Sequence, residues 1–479
     1  MFKIIKSGVS WTFGATLIQS ILQIALLIIL SRILTPEDFG ITSLSSAIIG
    51  FLTIFSLMGV GPALIQKKEL TEEQIKISFF LSLFLGMFFS TMLYLSASLL
   101  ADFFNIMELE KVISILAIIL ILQSLSVVPH SLLNRNLKFK KIAMIQVYSY
   151  VSYFLTSVLF GFLLHNYWAV IIGFLVQNIV KLILSFINSR LDFRVPLILS
   201  EAKEILNFGI GMSISRFFNQ IALQGDNFVV GKMLSSTDLG NYSRSYQLVS
   251  LPITLVNTAL DRVMFPVLSK MQKNFTLLRN YFYQMQKFNL IISLIIISII
   301  INHTEYIVFY LLGNQWDNVI IPVQILSLSI LFRGGYKISD TVMKSIGEVY
   351  LHAKLQMVYA TLIVIGAILG SFWSINGVAW GVVGAIFINY LLITTICMRI
   401  IGFKKKNFHS VIVKIIILFL ISQFALLLLD ENSPTTNYSF LKVSLQFLLF
   451  TPFYYYSYIK LLEILNSAKK MKGIDYDGN

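Results

Sequence analysis

Long apolar runs recur from one end of this 479-residue chain to the other, and no other feature constrains its fold as strongly. A bilayer core about 30 Å thick is crossed by about 20 apolar residues in an α-helix. Fourteen segments reach that length, at roughly 8–31, 41–66, 77–102, 110–130, 142–164, 168–189, 206–229, 240–263, 283–302, 319–341, 350–372, 375–400, 410–429 and 438–460. Inside hydrocarbon the backbone must satisfy its own hydrogen bonds, so runs of this length are helices. The expected fold class is an all-α integral membrane protein. Composition agrees: 57% of the residues are apolar and 13% charged, against about 45–50% and about 25% in soluble domains. A water-soluble enzyme is excluded.

The remaining charge is lopsided, 37 Lys+Arg against 23 Asp+Glu, for a net +14. In a soluble protein that excess suggests nucleic acid. Laid on fourteen spans with both termini cytoplasmic, it becomes a topology signal instead. The cytoplasmic side holds 31 of the 37 basic residues, among them Arg135, Lys138, Lys140, Lys141 and the run Lys404, Lys405, Lys406. The opposite side holds Arg32, Lys111, Lys232, Arg244 and Lys442, while Arg216 lies within a span. No nucleic-acid partner is expected. Lys3 and Lys6 precede the first apolar run as in a signal peptide, but the run is long and no small-residue cleavage site follows, so it is expected to remain as a span. The single cysteine, Cys397, excludes a disulfide framework and a cysteine-based zinc site.

An internal repeat appears at an offset of 200. Residues 32–46 and 232–246 share Leu34/Leu234, Asp38/Asp238, Gly40/Gly240, Ser43/Ser243 and Ser45/Ser245, and Arg32 is matched by Lys232. The copies follow the first and seventh spans, so six spans separate them and both start on the same face. Parallel repeats of this kind build two-lobed transporters that rock about a central site. The expected organisation is an N-terminal lobe at 1–200 with spans 1–6, a C-terminal lobe at 201–402 with spans 7–12, and an appended pair of spans with a tail at 403–479. Thr35, Pro36, Glu37 and Asp38 have the order of a helix start, with an N-cap, a first-position proline and first-turn acids. The acids therefore serve equally as caps of a stable outer hairpin.

Residues 30–40, Leu-Ser-Arg-Ile-Leu-Thr-Pro-Glu-Asp-Phe-Gly, resemble the first hairpin of bacterial polysaccharide transporters. These are the Wzx-type flippases of the multidrug/oligosaccharidyl-lipid/polysaccharide exporter superfamily. Met264, Phe265, Pro266, Val267, Leu268 and Ser269 are similar to that family's phenylalanine-proline-x-x-serine pattern. The resemblance implies a flippase that turns undecaprenyl-pyrophosphate-linked oligosaccharide from the cytoplasmic to the outer leaflet of the bacterial inner membrane. It implies service to O-antigen, capsule or exopolysaccharide synthesis, with membrane lipids around it and a polymerase and chain-length proteins as further partners. No cofactor is expected; a proton or sodium gradient is the energy source in such families.

A pyrophosphate head group needs cations facing a watered cavity, and an ionisable residue within a span is a functional candidate. Arg216 leads, with Asn219, Gln220 and Asn227 at helical spacing on span seven. It receives the anion, or pairs with a buried carboxylate and locks the lobes together, or lies near an interface. Asn219 corresponds under the repeat to Gln19, and Gln23 follows one turn later. Arg333 lies on a stripe of span ten with Lys337, Asp340 and Lys344, the two lysines being placed to reach the cytoplasmic surface. Lys181 on span six belongs to the same class. Asp226 is the candidate for coupling, and Asp261 with Arg262 forms either a gate pair or a local ion pair. His130, His165, His303, His352 and His409 fall near span ends, as expected of interfacial side chains. Tyr454, Tyr455, Tyr456 and Tyr458 suit an interfacial belt, and Gly377, Gly381 and Gly384 suit close helix packing. No phosphate-binding glycine loop, metal cluster or nucleophile triad is present, and nothing points to ATP.

Three other readings compete. An antiporter of the multidrug and toxic-compound extrusion (MATE) type shares the expected fold but binds cations, which calls for an acidic cavity. A membrane polymerase or ligase calls for a large outer loop with catalytic groups, and these connections are short. A scaffold leaves the polar stripes without a role.

Overall fold

The computed structural model describes residues 2–67, 69–189, 191, 202–271, 274–403, 455 and 459. Spans thirteen and fourteen of the sequence reading, and nearly all of the 403–479 segment, lie outside the described residues. Sixteen α-helices make up the described chain, and it contains no strand. Among the described residues, nine helices are long and apolar enough to cross a membrane, and a tenth crosses if a pair bent by 42° is counted as one span.

By their contacts the residues form two compact units. One comprises Met1–Ser243 with Val308–Asp317, the other Arg244–Ile307 with Asn318–Asn479. The first unit holds α1 (Phe2–Ile33), α2 (Pro36–Leu57), α3 (Val60–Gln66), α4 (Glu72–Leu95), α5 (Ala97–Phe104), α6 (Glu108–Leu116), α7 (Ile118–Arg135), α8 (Phe139–Leu164), α9 (Trp168–Asn188) and α10 (Ala202–Met233). Several sequence spans are two helices in series. The second breaks at Met58 and Gly59, both in the left-handed region. The third breaks at Ser96 and the fourth at Ala117. A core of Val60, Leu64, Ile77, Phe79 and Val128 joins α3, α4 and α7.

Both copies of the repeat fold the same way. Asp38 Oδ2 accepts from the Thr35 backbone N–H at 2.9 Å and from its hydroxyl at 2.7 Å, and Thr35 Oγ1 accepts from the Asp38 N–H. Asp238 repeats this arrangement on Ser235. These acids are thus caps, each closing a reciprocal box at a helix start. Past the caps, the two copies touch across a local pseudo-twofold. A Cβ on Gly40 would lie 1.9 Å from the Ser236 carbonyl oxygen, and one on Gly240 would lie 1.7 Å from that of Pro36. Ser43 Oγ donates to Ser243 Oγ at 2.9 Å just beyond. Only glycine lets the two backbones approach so closely.

The second unit contains most of α11 (Ser236–Met271) and α12 (Phe275–Leu311), then α13 (Ile320–Ser327), α14 (Ser329–Ile346), α15 (Val349–Ser371) and α16 (Ile375–Ile400). Gln286 Nε2 donates to the Gly335 carbonyl at 2.9 Å and Asn289 Nδ2 to that of Leu331 at 3.0 Å, tying α12 to α14. Helices α15 and α16 close through small residues, with a Gly366 Cβ position 2.4 Å from the Gly381 carbonyl and a Gly377 one 2.2 Å from that of Gly370. Gly384 has nothing within 4 Å of its Cβ position and takes no part in that packing. Cys397 is buried in a core with Phe282, Met285, Val342 and Met343.

Candidate functional site

In the first unit the polar stripe predicted on span seven lies on α10. Arg216 and Asn219 are exposed, while Gln220 is half-buried over α2, its Nε2 2.7 Å from the Cβ position of Gly50. No ion pair to Arg216 is formed among the described residues. A turn or two further on, Asn227 Nδ2 donates to Gln224 Oε1 at 2.6 Å. Asp226 is 2% exposed; its carboxylate accepts from the Tyr242 hydroxyl at 2.7 Å and from the Asn227 N–H at 2.9 Å. The acid is therefore buried and engaged inside the first unit. Gln19 on α1 donates to the Gln146 carbonyl of α8 at 3.3 Å, and Gln23 is half-buried one turn on. Lys181 on α9 is half-buried.

Sequence inspection alone does not pick out a second polar chain in this unit. Thr53 Oγ1 donates to Gln123 Oε1 at 2.9 Å, and Gln123 Nε2 donates to Asn178 Oδ1 at 3.3 Å. It links α2, α7 and α9, three helices whose polar residues look isolated when each is read alone. Polar bonds of this kind hold membrane helices together where no hydrophobic force between them exists. Between α8 and α9, Tyr167 donates its N–H to Asp38 Oδ1 at 2.9 Å. Burial first, and then the Glu108 carboxylate, raise the Tyr167 phenol above its ordinary range.

In the second unit Arg333 on α14 meets Tyr246 on α11. Its Nη1 donates to the phenol oxygen at 2.7 Å, and the guanidinium carbon lies 4.6 Å from the ring centroid. The tyrosine thus holds the cation by a hydrogen bond and by its ring face together. Further along the stripe, Lys337 and Lys344 converge on Asp340, with Nζ to Oδ2 distances of 3.5 and 2.9 Å. His352 of α15 abuts the other carboxylate oxygen. Both lysines are partly exposed, and their ammonium groups pair with the buried acid. His352, read as interfacial, is the third partner. Asp261 and Arg262 belong to α11, and their side chains lie outside the described residues.

The arrangement is one of cations and amides on α10 and α14, with Asp226 and Asp340 on the same helices buried and partnered, while Glu305 on α12 is exposed. Helices of this number, length and apolarity define a multi-pass membrane protein. Residues 29–321 match the family described as polysaccharide biosynthesis protein, and the chain belongs to that family. The teichuronic acid biosynthesis protein TuaB of Bacillus subtilis (strain 168) is 23% identical over 333 residues, 69% of each chain. The lipopolysaccharide biosynthesis protein WzxC of Escherichia coli (strain K12) is 26% identical over 408 residues, 81% of this chain and 78% of that one. In fold, the chain is similar to the lipid II flippase MurJ in an inward closed conformation, with TM-score 0.75 and 16% identity, over 95% of this chain and 100% of that one. It is similar at TM-score 0.60 and 14% identity to an inward-facing multidrug resistance MATE family transporter of the MOP superfamily, over 80% of this chain and 94% of that one.

Proposed function

We propose that the chain is a flippase for polyprenyl-pyrophosphate-linked oligosaccharide. It sits in the cytoplasmic membrane with both termini inside and delivers units to the outer leaflet for surface polysaccharide assembly. The family, the names of the relatives and the MurJ-like fold all support this reading. The observation that carries it furthest is Arg216. An exposed guanidinium on α10, with no carboxylate beside it among the described residues, is costly wherever it would face lipid and useful against a passing anion. Arg333, which donates to the Tyr246 phenol, is the second cation that would meet the anion. A cation antiporter would instead need an accessible carboxylate, whereas Asp226 and Asp340 are both buried and engaged. The reaction moves a molecule without making or breaking covalent bonds. Its energy would come from a proton or sodium gradient, and the polymerase and chain-length proteins act on the delivered unit.

Arg216→Ala is expected to abolish surface polysaccharide in cells relying on this chain, with its membrane abundance unchanged. Wild-type polysaccharide in that variant would remove the anion site from the proposal. Orientation has a separate check: a reporter fused after Lys406 is expected to read as cytoplasmic, and an outer reading would overturn the topology.

A further inference from the structure

Helix α12 starts in the second unit and ends in the first. The chain passes over at Ile307 and returns at Asn318, so the ten residues Val308–Asp317 belong by their contacts to the first unit. Side chains explain why. Gln315 Nε2 donates to the carbonyls of Ser31 and Leu34 at 2.6 and 2.9 Å, and Trp316 Nε1 donates to that of Ser31 at 2.8 Å. Carbonyls at the end of a helix lack partners within it, so these bonds cap the outer end of α1. From α1 itself, Arg32 donates to the Tyr310 carbonyl at 2.9 Å. Trp316 is fully buried, its ring 5.5 Å from that of Phe39. Lys232, the repeat partner of Arg32, makes a matching bond to the Phe103 carbonyl.

The helices bend on each side of this strap. His303 within α12 has φ −126° and ψ 17°. Beyond it, the stretch Asn314–Ser327 meets Ser329–Ile346 at an angle of 42° around Leu328. Sharp bends in helices mark places where the ladder of backbone bonds is interrupted, and hinges are a few residues that absorb a change of backbone angle.

We propose that Val308–Asp317 is a permanent part of the first unit, and that His303 and Leu328 are the hinges that take up movement of the second. Releasing the strap would expose a buried tryptophan and uncap α1 together. Flexing at positions where the helices already bend disturbs neither.

Hydrogen–deuterium exchange of the full chain in lipid nanodiscs tests this. Amides of 302–305 and 327–330 are expected to exchange about tenfold or more faster than those of 309–317, which should be protected like residues 28–34. A strap exchanging as fast as the two hinge segments would overturn the proposal. In Gln315→Ala, exchange should rise about tenfold in 309–317 and 31–34 together, with 302–305 and 327–330 unchanged. A rise confined to the hinge segments would likewise overturn it. The readout needs no substrate, so its failure is distinct from a failure of the polysaccharide assay.

Discussion

Gly240→Ala is expected to deplete the folded protein, although it adds a single methyl group. The added carbon would lie 1.7 Å from the Pro36 carbonyl oxygen and 3.1 Å from the Gly40 backbone nitrogen. Both obstacles are backbone, so no side chain can swing aside. The two hairpins would have to separate, which also stretches the 2.9 Å bond between Ser43 and Ser243. The cost is roughly 3 kcal/mol, the upper end for overpacking, in a protein whose whole stability is on the order of 5–15 kcal/mol. Gly40→Ala should behave the same way, since its Cβ meets the Ser236 carbonyl. Gly14→Ala is the control: nothing lies within 4 Å of its Cβ position, and alanine favours a helix over glycine by about 1 kcal/mol. Membrane abundance and unfolding temperature of the three purified variants decide the matter. Equal stability of Gly240→Ala and Gly14→Ala would show that the hairpins do not meet as described.

The same glycines show how far the sequence could be read. The repeat at an offset of 200 was visible as five identities in fifteen positions, and its helix-capping acids were visible from local chemistry. Helix caps depend on residues three apart, so Asp38 and Asp238 could be placed without a fold. That the two copies would lie against one another, glycine to backbone, depends on tertiary packing that spacing does not encode. The polar stripes divide in the same way. The one-face arrangement of Arg333, Lys337, Asp340 and Lys344 follows from helical period alone. Tyr246, 87 positions from Arg333, and His352, on another helix from Asp340, carry no such signature. Hydropathy likewise marks where helices cross but not where they bend. The ninth span read as a plain apolar segment at 283–302, while α12 runs to Leu311 and is interrupted at His303. A short polar connection containing Gln315 and Trp316 gave no sign that it would cap α1, about 280 residues away.

The cluster around Asp340 leads to the other large effect, and here the order of the variants matters more than any single one. The carboxylate is 2% exposed, whereas the side chains of Lys337 and Lys344 are 27% and 42% exposed. If the acid is neutralised as Asp340→Asn, each lysine can extend its stem and carry its charge to water. That loss is expected to be small, about 1 kcal/mol for ion pairs already partly solvated. If the lysines are removed instead, as Lys337→Ala with Lys344→Ala, the carboxylate has no route to water and keeps only His352 beside it. A buried charge stripped of its partners costs about 3–5 kcal/mol. The double lysine variant should therefore melt well below the Asp340→Asn variant. Adding Asp340→Asn to the double variant should recover most of the loss, because the stranded charge is then gone. Unfolding temperatures of the three proteins in one detergent measure this order. If Asp340→Asn proved the most damaging of the three, the lysines rather than the carboxylate would be the group that cannot reach solvent.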